Sequence, residues 1–195
     1  MAKAMSGQKT VTPSATSLAE AVKATNSRGL PPVEQWNPPF CGDLDMEIHR
    51  DGTWFYEGTP IGRPALVKLF ASILIREGED YFLVTPVEKV GIRVDDAPFV
   101  AVDFEVTGSG QDQQLTFTTN LDDVATADND FPLRFERDTA TGEPSPYVRI
   151  RRNLEALIDR KSFYRLVDLG VHHDGWFGVW SGGRFFGIIP SKDLP

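Results

Sequence analysis

The sequence has a single cysteine among its 195 residues, Cys41, so it can form no internal disulfide and can supply no thiolate zinc cage. Histidine is equally scarce. Of the three, only His172 and His173 are neighbours, and adjacent residues on a strand point to opposite faces, so the pair reads as the approach to an Asp174-Gly175 turn and no metal is expected. Long apolar runs are missing as well. The longest, Leu66 to Ile75, includes Lys68 and is far shorter than the roughly twenty residues that cross a bilayer. The N-terminal MAKAMSGQKTVTPSAT has lysines with no apolar segment behind them, so a cytoplasmic location is the expectation. Positive charge is not in excess either. Twenty Lys and Arg against 28 Asp and Glu give a net charge of −8, which argues against a face that neutralises duplex phosphates. A small anionic ligand needs only two or three local cations and is compatible with that balance.

What remains is ordinary globular composition, 41% hydrophobic and 11% aromatic, enough for one domain or two small lobes. Residues 1–16 read as a frayed tail. Ser17-Leu18-Ala19-Glu20 matches a capping box and predicts a helix over 18–27. From Cys41 the period becomes two, and Asp51-Gly52 turns the chain into Trp54-Phe55-Tyr56. Pro64 opens an amphipathic helix ending near Gly78, followed by segments 81–85, 89–94, 99–106 and 114–119, expected as an antiparallel meander. The second half repeats the order: strands at 133–137 and 147–151, a helix from Asn153 whose apolar phase changes at Lys161-Ser162, then strands at 176–180 and 184–189. The fold class is therefore α+β, two repeated lobes each with a mostly antiparallel sheet and one main helix. The lobes are expected at 17–110, with the leading helix, and 111–195, the boundary falling between 108 and 132.

Several stretches, Trp36-Asn37-Pro38-Pro39-Phe40-Cys41-Gly42, Asp51-Gly52-Thr53-Trp54, Pro60-Ile61-Gly62-Arg63, Leu83 to Lys89, Val94 to Phe99, Pro146-Tyr147-Val148, Leu154 to Leu157 and Phe177 to Gly183, together resemble the bacterial family called domain of unknown function 1285. The resemblance covers about 18–190. It implies a duplicated α+β architecture with a C-terminal lobe superficially like pleckstrin-homology domains, a ligand site between the lobes and a signalling role. It implies no established activity.

Cys41 with His49 would make a nucleophile and base, but no third group orients the pair, and a cysteine reads more simply as a small buried hydrophobe. Asp122, Asp123, Asp128 and Asp130 lack calcium-loop spacing, and the Gly-rich 108–110 and 181–183 lack the strand-to-helix setting of a phosphate loop. An anion site is better supported. Arg63 precedes Pro64 at a helix start, while Arg149 and Arg151 share one strand face and Arg152 leads to Asn153. If the lobes are related by a pseudo-twofold, these converge with Lys89, Trp54 or Trp180 on one cleft. The leading expectation is a non-enzymatic cytoplasmic module that senses a small anionic or nucleotide-like ligand between its lobes, without cofactor, duplex nucleic acid or membrane insertion. The alternatives are a protein-interaction adaptor using the C-terminal lobe and a small hydrolase.

Overall fold

The computed structural model describes residues 12–25 and 29–194. Most of the expected tail, residues 1–11, lies outside that range. Helix α1 spans Ala15–Ala24, three residues earlier than the sequence suggested. Ser14 is the cap: its Oγ accepts the Ser17 N–H at 3.1 Å, and Ser17 Oγ returns the bond to the Ser14 N–H at 3.1 Å. Ser17 thus sits at the third helical position, and Leu18, Ala19 and Val22 are buried.

Among the described residues fifteen strands follow, in three sheets. The first sheet contains β1 (Phe40–Ile48), β2 (Trp54–Tyr56), β3 (Thr59–Pro60), β4 (Leu74–Glu77), β5 (Asp80–Val84) and β6 (Lys89–Val94), in the spatial order β3-β2-β1-β6-β5-β4. The second contains β7 (Phe99–Thr107), β8 (Gln114–Thr119), β9 (Val124–Thr126), β10 (Leu133–Arg137), β11 (Pro144–Arg151) and β12 (Leu154–Ile158), in the order β10-β11-β12-β7-β8-β9. Read from the other edge, this is the same topology. Each sheet is two three-stranded antiparallel meanders joined along a central parallel pair, β1 with β6 and β7 with β12. The sheets are therefore mixed, where simple antiparallel meanders were expected.

Local chemistry explains the segments. In β1, Leu44, Met46 and Ile48 are buried while Asp43, Asp45 and Glu47 face outward. Helix α2 (Pro64–Ser72) starts with proline and buries Val67, Phe70 and Ala71, but stops short of Gly78. Ile73-Leu74-Ile75 carries the β-branched residues that favour extended chain, and Leu74 begins β4. The helix expected from Asn153 is two elements. Leu154, Ala156 and Ile158 are buried at strand spacing in β12, and Asp159 then caps α3 (Arg160–Asp168) by accepting the Ser162 N–H at 2.8 Å. The phase change at Lys161-Ser162 marks the passage from period two to period 3.6.

Two further expectations shift with it. The sheets part between Val94 and Phe99, ahead of the 108–132 interval, because β7 pairs with β8 across the Gly108-Gly110 turn. The repeated unit is the six-stranded sheet, and α3 follows its second copy instead of matching α2. The third sheet, β13 (Val171–His173), β14 (Trp176–Ser181) and β15 (Arg184–Pro190), docks on β8 and β9: Ser181 Oγ accepts the Leu115 N–H at 2.9 Å and donates to Ala127 O at 2.6 Å. One continuous buried cluster, from Leu18 through Phe70, Phe99 and Phe117 to Val179, joins all three sheets.

Candidate functional site

The two lobes meet over a polar seam. Arg151, at the end of β11, donates to Asp123 Oδ1 at 2.6 Å and to the Ala71 carbonyl in the last turn of α2 at 2.5 Å. A cation there complements the negative end of the helix dipole. Burial pushes the Asp123 carboxyl up, opposed by the guanidinium beside it, and pushes Arg151 down. Lys68 on α2 pairs with Asp122, Arg152 pairs with Glu34, and Asn153 Nδ2 donates to the Arg76 carbonyl at 3.0 Å. Gly52, at φ +85°, lets the hairpin turn come so close that a Cβ would lie 2.6 Å from Asn120 Nδ2 and 3.1 Å from Val100.

Beside this seam is a cavity of about 370 Å³ whose walls come from both lobes: Arg76, Glu79 and Tyr81 from the first, Arg134, Tyr147 and Glu155 from the second, with Asp96 of the connection between them. Arg134 lies 4.1 Å over the Tyr147 ring and is held bidentately by Glu155, at 2.9 and 2.7 Å, with Glu136 on its third side. Those carboxylates raise its pKa above the usual arginine range. Tyr147 donates to Asp96 Oδ1 at 2.7 Å, and burial first, then Asp96, pushes its phenol up to about 12. Burial also raises Tyr81, over whose ring Arg76 sits at 5.5 Å. Chemically the walls offer two guanidiniums and two protonated phenols among four carboxylates, Glu79, Asp96, Glu136 and Glu155, a polar lining able to orient a polar group.

Of the six residues expected to converge, two lie at this junction. Tyr147 and Arg149 share the cavity-side face of β11, whereas a bulge between Arg149 and Arg151 turns Arg151, opposite Leu154 and 5.1 Å over the core Phe99 ring, to the other face, correcting the expectation that the two arginines share one. Arg149 is distinctive: its Nε is sealed from solvent and its guanidinium has no acceptor among the described residues. Its cross-strand neighbour is Glu155, which Arg134 already occupies. The other four lie elsewhere. Arg63 is exposed at the start of α2, and Trp54 is core, 1% exposed and stacked near Phe70. Lys89 is on the outer face of the first sheet, paired with Glu77 at 3.0 Å, and Trp180 packs on Phe185 and His173 in the third sheet. Cys41 is exposed, contrary to the buried expectation, with its thiol donating to Pro39 O. His49 instead stacks on Phe55 and bonds Glu47, so no cysteine–histidine pair forms. Arg76, Arg134, Tyr81 and Tyr147 escaped the sequence reading. Only the register, Arg134 opposite Tyr147 and Arg149 opposite Glu155, brings them together.

Comparison with known proteins agrees with the two-lobe division. The family model described as the N-terminal domain of domain of unknown function DUF1285 matches residues 31–97, and the model for the C-terminal domain of that family matches 98–188. A crystal structure of a DUF1285 family protein from Silicibacter pomeroyi is similar at 63% identity and a TM-score of 0.85, covering 91% of this chain and 97% of that one. Another, from Shewanella baltica, is 31% identical with a TM-score of 0.52, covering 64% of this chain and 91% of its own. No curated protein matches the chain. With both family models matched in succession across the two lobes, the chain belongs to the DUF1285 family.

Proposed function

We propose that the protein is a non-enzymatic binding module that takes a small anionic, nucleotide-like ligand at the junction of its lobes and acts in cytoplasmic signalling. The observation that carries this reading is Arg149, a half-buried guanidinium without an acceptor, one strand position from a cavity that already holds Arg76 and Arg134. An N–H sealed from water without an acceptor is costly, and an anion that reaches the Arg149 Nε relieves that cost. Of the other two arginines, Arg76 pairs with Glu79, which is 93% exposed, and a phosphate or carboxylate would replace that surface pair, while Arg134 keeps its bidentate bond to Glu155. The C-terminal lobe, in which α3 packs on β7 and Arg165 donates to the Phe104 carbonyl at 2.8 Å, is read as the pleckstrin-homology-like part.

The test is a thermal-shift and calorimetric panel of pyrophosphate, nucleotides, cyclic dinucleotides and inositol phosphates on the full chain. One class is expected to raise the melting temperature, and Arg149→Ala to abolish that shift. Because Arg149 has no partner to orphan, the variant's own melting temperature should stay unchanged. Arg63→Ala is expected to bind as the parent does. A flat panel, or unchanged binding by Arg149→Ala, overturns the assignment. A second reading, a protein-interaction adaptor, rests on β13, an edge strand carrying exposed Val171 next to exposed Trp176 on β14. Under that reading Val171→Lys removes a partner while the small-molecule panel stays flat.

A further inference from the structure

The outer face of the first sheet, away from the lobe junction, contains a second cavity of about 330 Å³. Its construction begins with an irregularity in β1. Strand alternation places residues three apart on opposite faces, so Phe40 and Asp43 would ordinarily diverge. Phe40 is paired with Lys89 and Asp43 with Gly91, so β1 carries an extra residue there, and Gly42 takes φ +98° in the bulge. Both side chains consequently project outward. On β6 between them is Gly91, where a Cβ would lie 2.2 Å from Asp43 Oδ1 and 3.8 Å from the Phe40 ring. The missing side chain forms the floor. Phe82, opposite Gly91 on β5, meets Phe40 edge to face at 6.0 Å and 88°, giving two aromatic walls.

The charges of this cavity are unbalanced in one direction. Lys89, 4.9 Å over the Phe82 ring, is neutralised by Glu77 at 3.0 Å. Arg93, the next outward cation on β6, is held by Asp45 and Glu47. Asp43 and Asp80, both lining the cavity, accept no hydrogen bond and pair with no cation among the described residues. We propose that the cavity binds a small organic cation, a primary ammonium on an alkyl or aryl stem. The ammonium sits against the Asp43 carboxylate, which rests over Gly91, and the stem lies along Phe40 and Phe82. Carboxylate and ring surface both attract such a cation, an inorganic ion gains nothing from the rings, and an anion is opposed by both aspartates.

Titrating phenethylammonium into the full chain while following amide chemical shifts tests the proposal. Saturable changes are expected in β1, β5 and β6, and none with phenylacetate, its anionic counterpart. Asp43→Asn keeps the shape and removes the charge, and should weaken binding by at least about tenfold. Gly91→Ala meets only the movable end of Asp43, so the fold persists while the floor is filled and binding is lost. Asp45→Asn, outside the cavity, should bind as the parent does. Equal response to phenylacetate, native affinity in Asp43→Asn, or no saturable shift would each overturn the assignment.

Discussion

The two six-stranded sheets share one strand order and differ in what joins their third strand to their fourth. In the first sheet the join is α2, which buries Phe70 at 0% exposure; in the second it is the short connection at 127–132. The second sheet obtains its cover from elements added after it, α3 and the third sheet. What repeats is thus the pair of meanders and the parallel seam between them, while the covering layer is supplied separately for each copy. The outward faces differ as well. The second sheet presents Tyr147 and Arg149 on its cavity side, whereas the first leaves Phe40, Asp43 and Arg93 open.

The strongest way to break this comparison is to remove one cover residue from each copy. Phe70→Ala on α2 and Leu166→Ala on α3, both fully buried, are each expected to cost about 3 kcal/mol in denaturant unfolding. A loss below about 1 kcal/mol for Phe70→Ala alone would make α2 an accessory rather than the cover of its sheet. The seam between the copies comes next. Arg151→Ala leaves Asp123 buried and unpaired and should cost about 3 kcal/mol, against less than about 1 kcal/mol for Lys68→Ala, whose partner Asp122 is 78% exposed. Equal losses would show that burying Arg151 between Asp123 and the Ala71 carbonyl adds nothing beyond a surface pair.

A further effect sharpens the asymmetry through pH. The Tyr147 phenol is raised from 10.0 to about 12, so the folded chain keeps a proton that the unfolded chain gives up. Its contribution is fully present below pH 10 and is lost as pH rises from 10 to about 12, amounting to about 3 kcal/mol. Stability measured across that window should fall in the parent and fall less in Tyr147→Phe. An identical slope in both would remove the Tyr147–Asp96 bond from the lobe junction.

Much of the fold was legible because it is written in local periods. The Asp51-Gly52 turn, the amphipathic stripe of α2 and the alternation in β1 and β11 each depend on neighbours within a few residues. The helix expected from Asn153 failed because Leu154, Leu157 and Ile158 fit a helix as well as a strand until Asp159 is recognised as a cap. The domain boundary moved because the Gly108-Gly110 turn separates strands of one sheet, not two sheets. The candidate site was less legible for a deeper reason. Arg76 and Arg134 come from different lobes, and Arg149 is unpaired only because its cross-strand neighbour Glu155 is taken, which is a property of register. Arg149 and Arg151 were expected on one face by strand alternation, and the bulge between them, which puts them on opposite faces, is not legible in the sequence.

The central parallel pairs also govern the order in which the chain can assemble. Each meander joins strands that are near in sequence, and such hairpins form quickly. Phe40 and Lys89, or Phe99 and Ala156, are the first and last strands of their units and meet only after everything between them has been gathered in. Each lobe therefore closes at its middle, with the longest-range pairing forming last, and the nascent chain must complete an entire six-stranded unit before either of its central strands loses an exposed edge.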